Sequence, residues 1–198
     1  MGRLSRRLVA ICGIVAALLT VPLGFLSGVG AGIVATLALA FALLYDWPLK
    51  STVVSVLPYA VSFACLPTFV VLGAGGRPPV WLALAGGLLG AGAHFVNALP
   101  DLGDDARTGV RGLPHLLGQR GSLVAAGLLL LAATAMLVFG PPGPPSWPGW
   151  LGLALAVLVL PLGLHAVRRN PASKLPFRAV MVIALVDVIL LLVGGLDL

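Results

Sequence analysis

Apolar residues run along this chain in long blocks, and polar residues sit almost wholly in the gaps. A membrane-crossing helix needs about 20 mostly apolar residues. Seven blocks approach that length, at roughly 8–27, 29–45, 53–73, 79–98, 121–140, 149–167 and 177–196. Proline or glycine marks every gap: Ser27-Gly28, Asp46-Trp47-Pro48, the run from Gly73 to Pro79, the acidic stretch after Asn97, Pro141-Pro142-Gly143-Pro144-Pro145, and Arg168-Arg169-Asn170-Pro171. These residues end helices and turn the chain. No gap is long enough for a separate soluble domain. The pattern predicts an all-α fold, a polytopic transmembrane helix bundle of about seven helices, as one domain over residues 1–198. The connection at Ser27-Gly28-Val29-Gly30 is tight enough that the first two blocks also read as one re-entrant pair.

Composition makes the membrane reading firm. The chain is 60% hydrophobic and 9% charged, with mean hydropathy +1.11. A soluble domain carries roughly 25% charged residues. The net charge of +6 is not gathered into a patch of the kind that binds nucleic acid. It alternates with the apolar blocks, as positively charged loops on one side of a membrane do. One side receives Arg3, Arg6, Arg7, Lys50, Arg107, Arg111, Arg120, Arg168, Arg169, Lys174 and Arg178; the other receives Arg77. The N-terminus and the acidic stretch are therefore predicted on the cytoplasmic side. The proline-rich loop and the C-terminus fall outside.

Arg3, Arg6 and Arg7 before an apolar run resemble a secretory signal. The run is long for one and more spans follow, so a retained first helix is the better reading. Cys12 and Cys65 lie inside apolar blocks and read as small hydrophobes with no disulfide. Trp47, Trp81, Trp147 and Trp150 fall near block ends, where aromatic anchors belong. Spacings such as Gly24-x-x-x-Gly28, Gly28-x-x-x-Gly32 and Gly86-x-x-x-Gly90 permit close helix packing, but 26 glycines produce such matches by chance. Arginine outnumbering lysine, with much Ala, Gly, Leu and Pro, suggests a GC-rich bacterial genome and hence a bacterial inner membrane.

Against this background one polar stretch stands out: Asn97-Ala98-Leu99-Pro100-Asp101-Leu102-Gly103-Asp104-Asp105, then Ala106-Arg107-Thr108-Gly109. It holds three of the six acidic residues of the chain, which has no glutamate. Asn97, Asp101 and Asp105 are spaced to share one helix face. Oxygen ligands on one face suit Mg²⁺, which takes one or two carboxylates and fills its other positions with water and phosphate oxygens. Arg107, Arg111 and Arg120 follow closely. Carboxylate-held metal with cations around it grips a diphosphate. At a membrane surface the simplest such ligand is an isoprenoid diphosphate, its tail among the helices. Charge pattern alone leaves open an ordinary solvated loop whose arginines only set topology.

Asp101-x-x-x-Asp105-x-x-x-Gly109, with Asn97 before it and Leu113-Pro114-x-Leu-Leu-Gly118 after it, resembles the second aspartate-rich motif of the UbiA superfamily of intramembrane prenyltransferases. Upstream, Tyr45-Asp46-Trp47-Pro48-Leu49-Lys50 resembles that family's Tyr-x-x-x-Leu-Lys segment. The order agrees as well: a Tyr/Lys loop, two spans, the aspartate loop, then three spans. The resemblance implies a transferase that moves a prenyl group from an isoprenoid diphosphate to an aromatic or other lipophilic acceptor. It implies that Asp101 and Asp105 are catalytic and bind Mg²⁺–diphosphate, with Asn97 a weaker ligand. Tyr45 and Lys50 would face the diphosphate from the neighbouring loop, with Arg107 and Arg111 assisting. Asp104 lies off that face and would pair with Arg107 or Arg111, or be solvated. The implied partners are the donor, the acceptor and membrane lipid, with no nucleic acid.

The departures are substantial. Members of the family have nine helices and a first motif, Asn-Asp-x-x-Asp-x-x-x-Asp, between the second and third. These 198 residues do not contain it. Gly2-Arg3-Leu4-Ser5 resembles the stretch just after it, so the seven blocks match helices three to nine. Ala98 stands where some relatives have another Asp.

Other polar residues invite simpler readings. Asp187 lies mid-block, where a charge costs on the order of 2.5–3.5 kcal/mol, so it should face the interior and pair or be protonated. His94 reads as a packed, hydrogen-bonded histidine before it reads as a cavity residue. His115 reads as a loop residue, and His165 suits a helix C-terminus beside Arg168. The alternative functional classes are a transporter or other non-enzymatic membrane protein, or an inactive remnant. Transporters place ionisable groups near the midplane, whereas here the acids concentrate at one edge. With one of two aspartate motifs, the 198-residue chain is expected to be inactive or very weak as a prenyltransferase, and an upstream-extended form to be Mg²⁺-dependent. Robust turnover by the purified 198-residue chain would overturn this.

Overall fold

Lipid offers backbone groups no hydrogen-bond partners, so a spanning chain must satisfy them within helices. The computed structural model describes residues 5–100, 102, 111–169 and 175–195, and these are helical apart from short turns. The helices are α1 (Arg6–Leu26), α2 (Val29–Asp46), α3 (Val56–Gly73), α4 (Val80–Ala98), α5 (Leu113–Phe139), α6 (Trp147–Arg169) and α7 (Leu175–Gly195). A 3₁₀ turn, Leu49–Ser51, lies between α2 and α3. The predicted all-α bundle of about seven helices is the observed one. Among the described residues, α1 to α5 are each long and apolar enough to cross a membrane.

Two boundaries differ from the hydropathy pattern. The third block was expected from 53, yet α3 starts at Val56 because residues 49–55 form the 3₁₀ turn and a following turn. The fifth was expected from 121, yet helix begins at Leu113. Gly118 then breaks it, with φ 64° and ψ −179°. That left-handed φ is open to glycine and strained for other residues. Across the break the Ser122 hydroxyl donates to the Pro114 carbonyl at 3.0 Å. His115 therefore stands in a helical turn and not in a loop.

Successive helices pack side by side from α1 to α5, and α6 and α7 close against α5, with α7 also reaching α4. The core lies among α4 to α7, where Leu89, Phe95, Ala126, Leu130, Ala156 and Ile183 are buried. α1 is covered far less, and Leu8, Ile11, Ile14 and Leu18 are exposed on it. In a bilayer such side chains meet lipid. Trp47, Trp147 and Trp150 are also exposed near helix ends, as anchors should be.

The glycine spacings, given little weight from sequence, prove central to the packing. A Cβ on Gly86 would stand 2.7 Å from the Phe63 carbonyl oxygen. One on Gly90 would stand 2.5 Å from that of Tyr59 and collide with the Phe63 side chain. α4 thus lies directly on the backbone of α3. Gly32 similarly receives the Phe25 ring, and Gly152 lies against Leu190.

Overpacking a tight contact costs typically 1–3 kcal/mol. Gly90→Ala is expected to lose about that much, read as earlier unfolding in detergent. Gly13→Ala, with open space at its Cβ position, should be neutral or slightly stabilising. Equal effects at the two sites would contradict the contact.

Candidate functional site

α3 and α4 run antiparallel with a constant register. Gly86 meets Phe63, Gly90 meets Tyr59, and His94 meets Ser55, a step of four residues along each helix. Four residues is about one helical turn, so these positions form one stripe on each helix. At the far end of the stripe the small residues give way to a polar and aromatic cluster.

Ser55 is fully buried and His94 is 2% exposed. The Ser55 hydroxyl lies 3.0 Å from His94 Nε2. It also accepts the Leu113 backbone N–H at 3.2 Å. Which of the two groups donates is set by the imidazole tautomer, and the other ring nitrogen, Nδ1, is buried without a hydrogen-bond partner. The His94 ring packs against Tyr59 (centroids 5.0 Å) and edge-on to Tyr45 (5.7 Å). Tyr45 and Tyr59 meet edge to face at 4.9 Å. Asn97 Nδ2 donates to the Tyr59 hydroxyl at 3.4 Å. Its amide oxygen remains as a potential ligand atom. Beside this cluster a cavity of about 340 Å³ is lined by Tyr45, Asp46, Pro58, Tyr59, Ser62 and Phe63.

The Lys50 turn joins the same junction. Its carbonyl oxygen lies 2.6 Å from where a Cβ on Gly112 would stand, and Ser55 Oγ lies 3.1 Å from that point. The turn after α2 and the backbone entering α5 are thus in contact. Arg111 is exposed next to them.

Of the residues singled out from sequence, Tyr45 and Asn97 both meet Tyr59, and Lys50 lies in the turn that touches Gly112. Asp101, Asp104, Asp105, Arg107 and Gly109 lie outside the described residues. Among the described residues no group of three or more His, Cys, Asp or Glu could hold a metal. What remains to test a fit to Mg²⁺ is Asn97, an exposed amide oxygen donor at the end of α4. An oxygen donor of this kind is the chemistry Mg²⁺ takes.

Sequence reasoning missed Tyr59 and Ser55. Tyr59 is one of two tyrosines in the chain and follows Ser55 by four residues, a signal that was present. Ser55 precedes an apolar helix and looks like an N-cap, yet it makes no capping bond within α3. His94 is the packed, hydrogen-bonded histidine expected.

A sequence model of the UbiA prenyltransferase family matches residues 1–186. The chain belongs to that family. No curated protein and no solved structure matches it. Membership of the UbiA prenyltransferase family agrees with a multi-pass membrane protein.

Asp187, the one deep acid among the described residues, is fully buried in the core. Thr134 Oγ1 lies 2.6 Å from its Oδ1 and 2.9 Å from the Leu130 carbonyl. It faces the interior and pairs, as a mid-span carboxyl must. Thr134→Val removes that partner and is expected to destabilise the bundle by about 1–3 kcal/mol. Unfolding of the variant in nanodiscs at the wild-type temperature would refute the pairing.

Proposed function

We propose that this chain carries out, or contributes the larger helical part of, prenyl transfer from an isoprenoid diphosphate to an aromatic or other lipophilic acceptor. The observation that carries the reading is the meeting of Tyr45, Tyr59 and Asn97 at one end of the bundle, beside the Lys50 turn. Asn97 begins the aspartate motif, and Tyr45 and Lys50 belong to the other family segment. Asn97 and Tyr45, one from each segment, both meet Tyr59, which supports one shared ligand.

The chemistry follows from charge. Breaking the allylic C–O bond leaves its electron pair on the departing diphosphate and a delocalised cation on carbon. Asp101 and Asp105 would hold Mg²⁺ with help from Asn97. The ion would supply neutralisation of the leaving group's charge. Lys50, Arg107 and Arg111 would add fixed positive charge where negative charge develops. Tyr45 would orient the diphosphate. The cavity beside Tyr45 and Tyr59 offers aromatic faces near the reacting carbon, and a cation is attracted to such faces. The acceptor's nucleophilic carbon or heteroatom then forms the new bond and loses a proton. By the Lys/Arg distribution this end faces the cytoplasm of a bacterial inner membrane.

The test is a substitution series in the upstream-extended form, at saturating Mg²⁺ with labelled allylic diphosphates. Asp101→Ala and Asp105→Ala should each cut transfer by about 10² or more, since metal stabilisation of a leaving group is worth several kcal/mol and ~1.4 kcal/mol is tenfold. Lys50→Ala should be intermediate, Asp104→Ala much milder and Arg168→Ala nearly silent. Indifference to both Asp101 and Asp105 would end the prenyltransferase reading.

A further inference from the structure

Ser55 and His94 belong to neither family segment, yet they join the elements that carry them. Ser55 opens α3, His94 lies one turn before Asn97 on α4, and Leu113 opens α5. One buried hydroxyl bonds two of these partners at 3.2 and 3.0 Å. Gly112 lets the Lys50 carbonyl pack onto the same point. On its other side the His94 ring supports Tyr45 and Tyr59, and Tyr59 holds Asn97. Lys50 on one side and the Tyr45–Asn97 wall on the other are thus referred to one pair of side chains.

We propose that Ser55 and His94 are positioning residues that set the Lys50 turn against the Tyr45–Asn97 wall, so that both face one diphosphate. This rests on the diphosphate reading above. The physical reason is the cost of release. A buried N–H or ring nitrogen that loses its partner must find another, and the nearest route is for the turn to move away and admit water. Lys50 sits five residues before Ser55 and moves with it.

Full-length chain in nanodiscs, titrated calorimetrically with inorganic diphosphate in the presence of Mg²⁺, tests this without turnover. Ser55→Ala is expected to weaken binding about tenfold, as Lys50→Ala does. The double variant should be no weaker than either alone, because both remove the same contact. His94→Gln retains a hydrogen-bonding group toward Ser55 and should bind nearly as wild type, whereas His94→Phe should match Ser55→Ala. Thr134→Val, a core change of comparable severity, should lower the unfolding temperature without changing diphosphate affinity. Wild-type affinity in Ser55→Ala, or additive losses in the double variant, would overturn the positioning role while leaving the functional reading intact. An equal loss in Thr134→Val would reduce the role to general stability and also overturn it. Failure of the wild-type chain to bind Mg²⁺–diphosphate would instead sink the functional reading, and this proposal with it.

Discussion

The close approach of α4 to α3 is the constraint from which the rest of the site follows. Within lipid, helices gain little from burying apolar surface against each other, since the surroundings are equally apolar. What holds them is contact at short range, and that requires small residues. Gly86 and Gly90 let the α3 backbone come near enough that the next turn of α4 brings His94 to Ser55. The turn after that brings Asn97 to Tyr59. A larger residue at Gly90 would push the two helices apart at the point from which both polar contacts are levered. Packing in the apolar half of the bundle therefore sets the geometry of the polar end.

The bundle was legible in the sequence because block length and punctuation are coarse signals with few competing explanations. The segments Tyr45 to Lys50 and Asn97 to Gly109 pointed to the family whose model the chain matches. The register between α3 and α4 was not read, although it is written in the chain: Gly86, Gly90 and His94 on one helix, Ser55, Tyr59 and Phe63 on the other. A four-residue spacing on one helix means little until the partner helix and its direction are known, and 26 glycines hide the few that matter. Ser55 was obscured for a different reason. Its position before an apolar helix has a local explanation, and a local explanation conceals a contact made 58 residues away.

The deep polar pair shows the same economy on the other side of the core. Asp187 and Thr134 join α7 to α5 where the surrounding residues are Leu, Ala and Ile. A hydrogen bond there has no water to compete with it, and it fixes one rotational setting of α7. Ser55–His94 and Thr134–Asp187 thus orient helices at two separate places, one at the polar end of the α3–α4 stripe and one within the apolar core.

Gly118 has a consequence for how the chain fits its bilayer. An unbroken helix of 27 residues would be about 40 Å long, against a hydrocarbon layer of about 30 Å. Beyond the break, the stretch up to Phe139 spans about 31 Å. The glycine therefore trims α5 to the thickness it must cross and leaves the turn at Leu113 free to pack beside Ser55 and not to continue the axis. It also leaves Arg120 near the start of the trimmed span, where a guanidinium can reach the headgroups. A straightened α5 would have to tilt or thin the lipid, at a cost of fractions of a kcal/mol per Å of mismatch. One backbone angle thus matches the protein to the membrane while delivering the Leu113 amide to its partner.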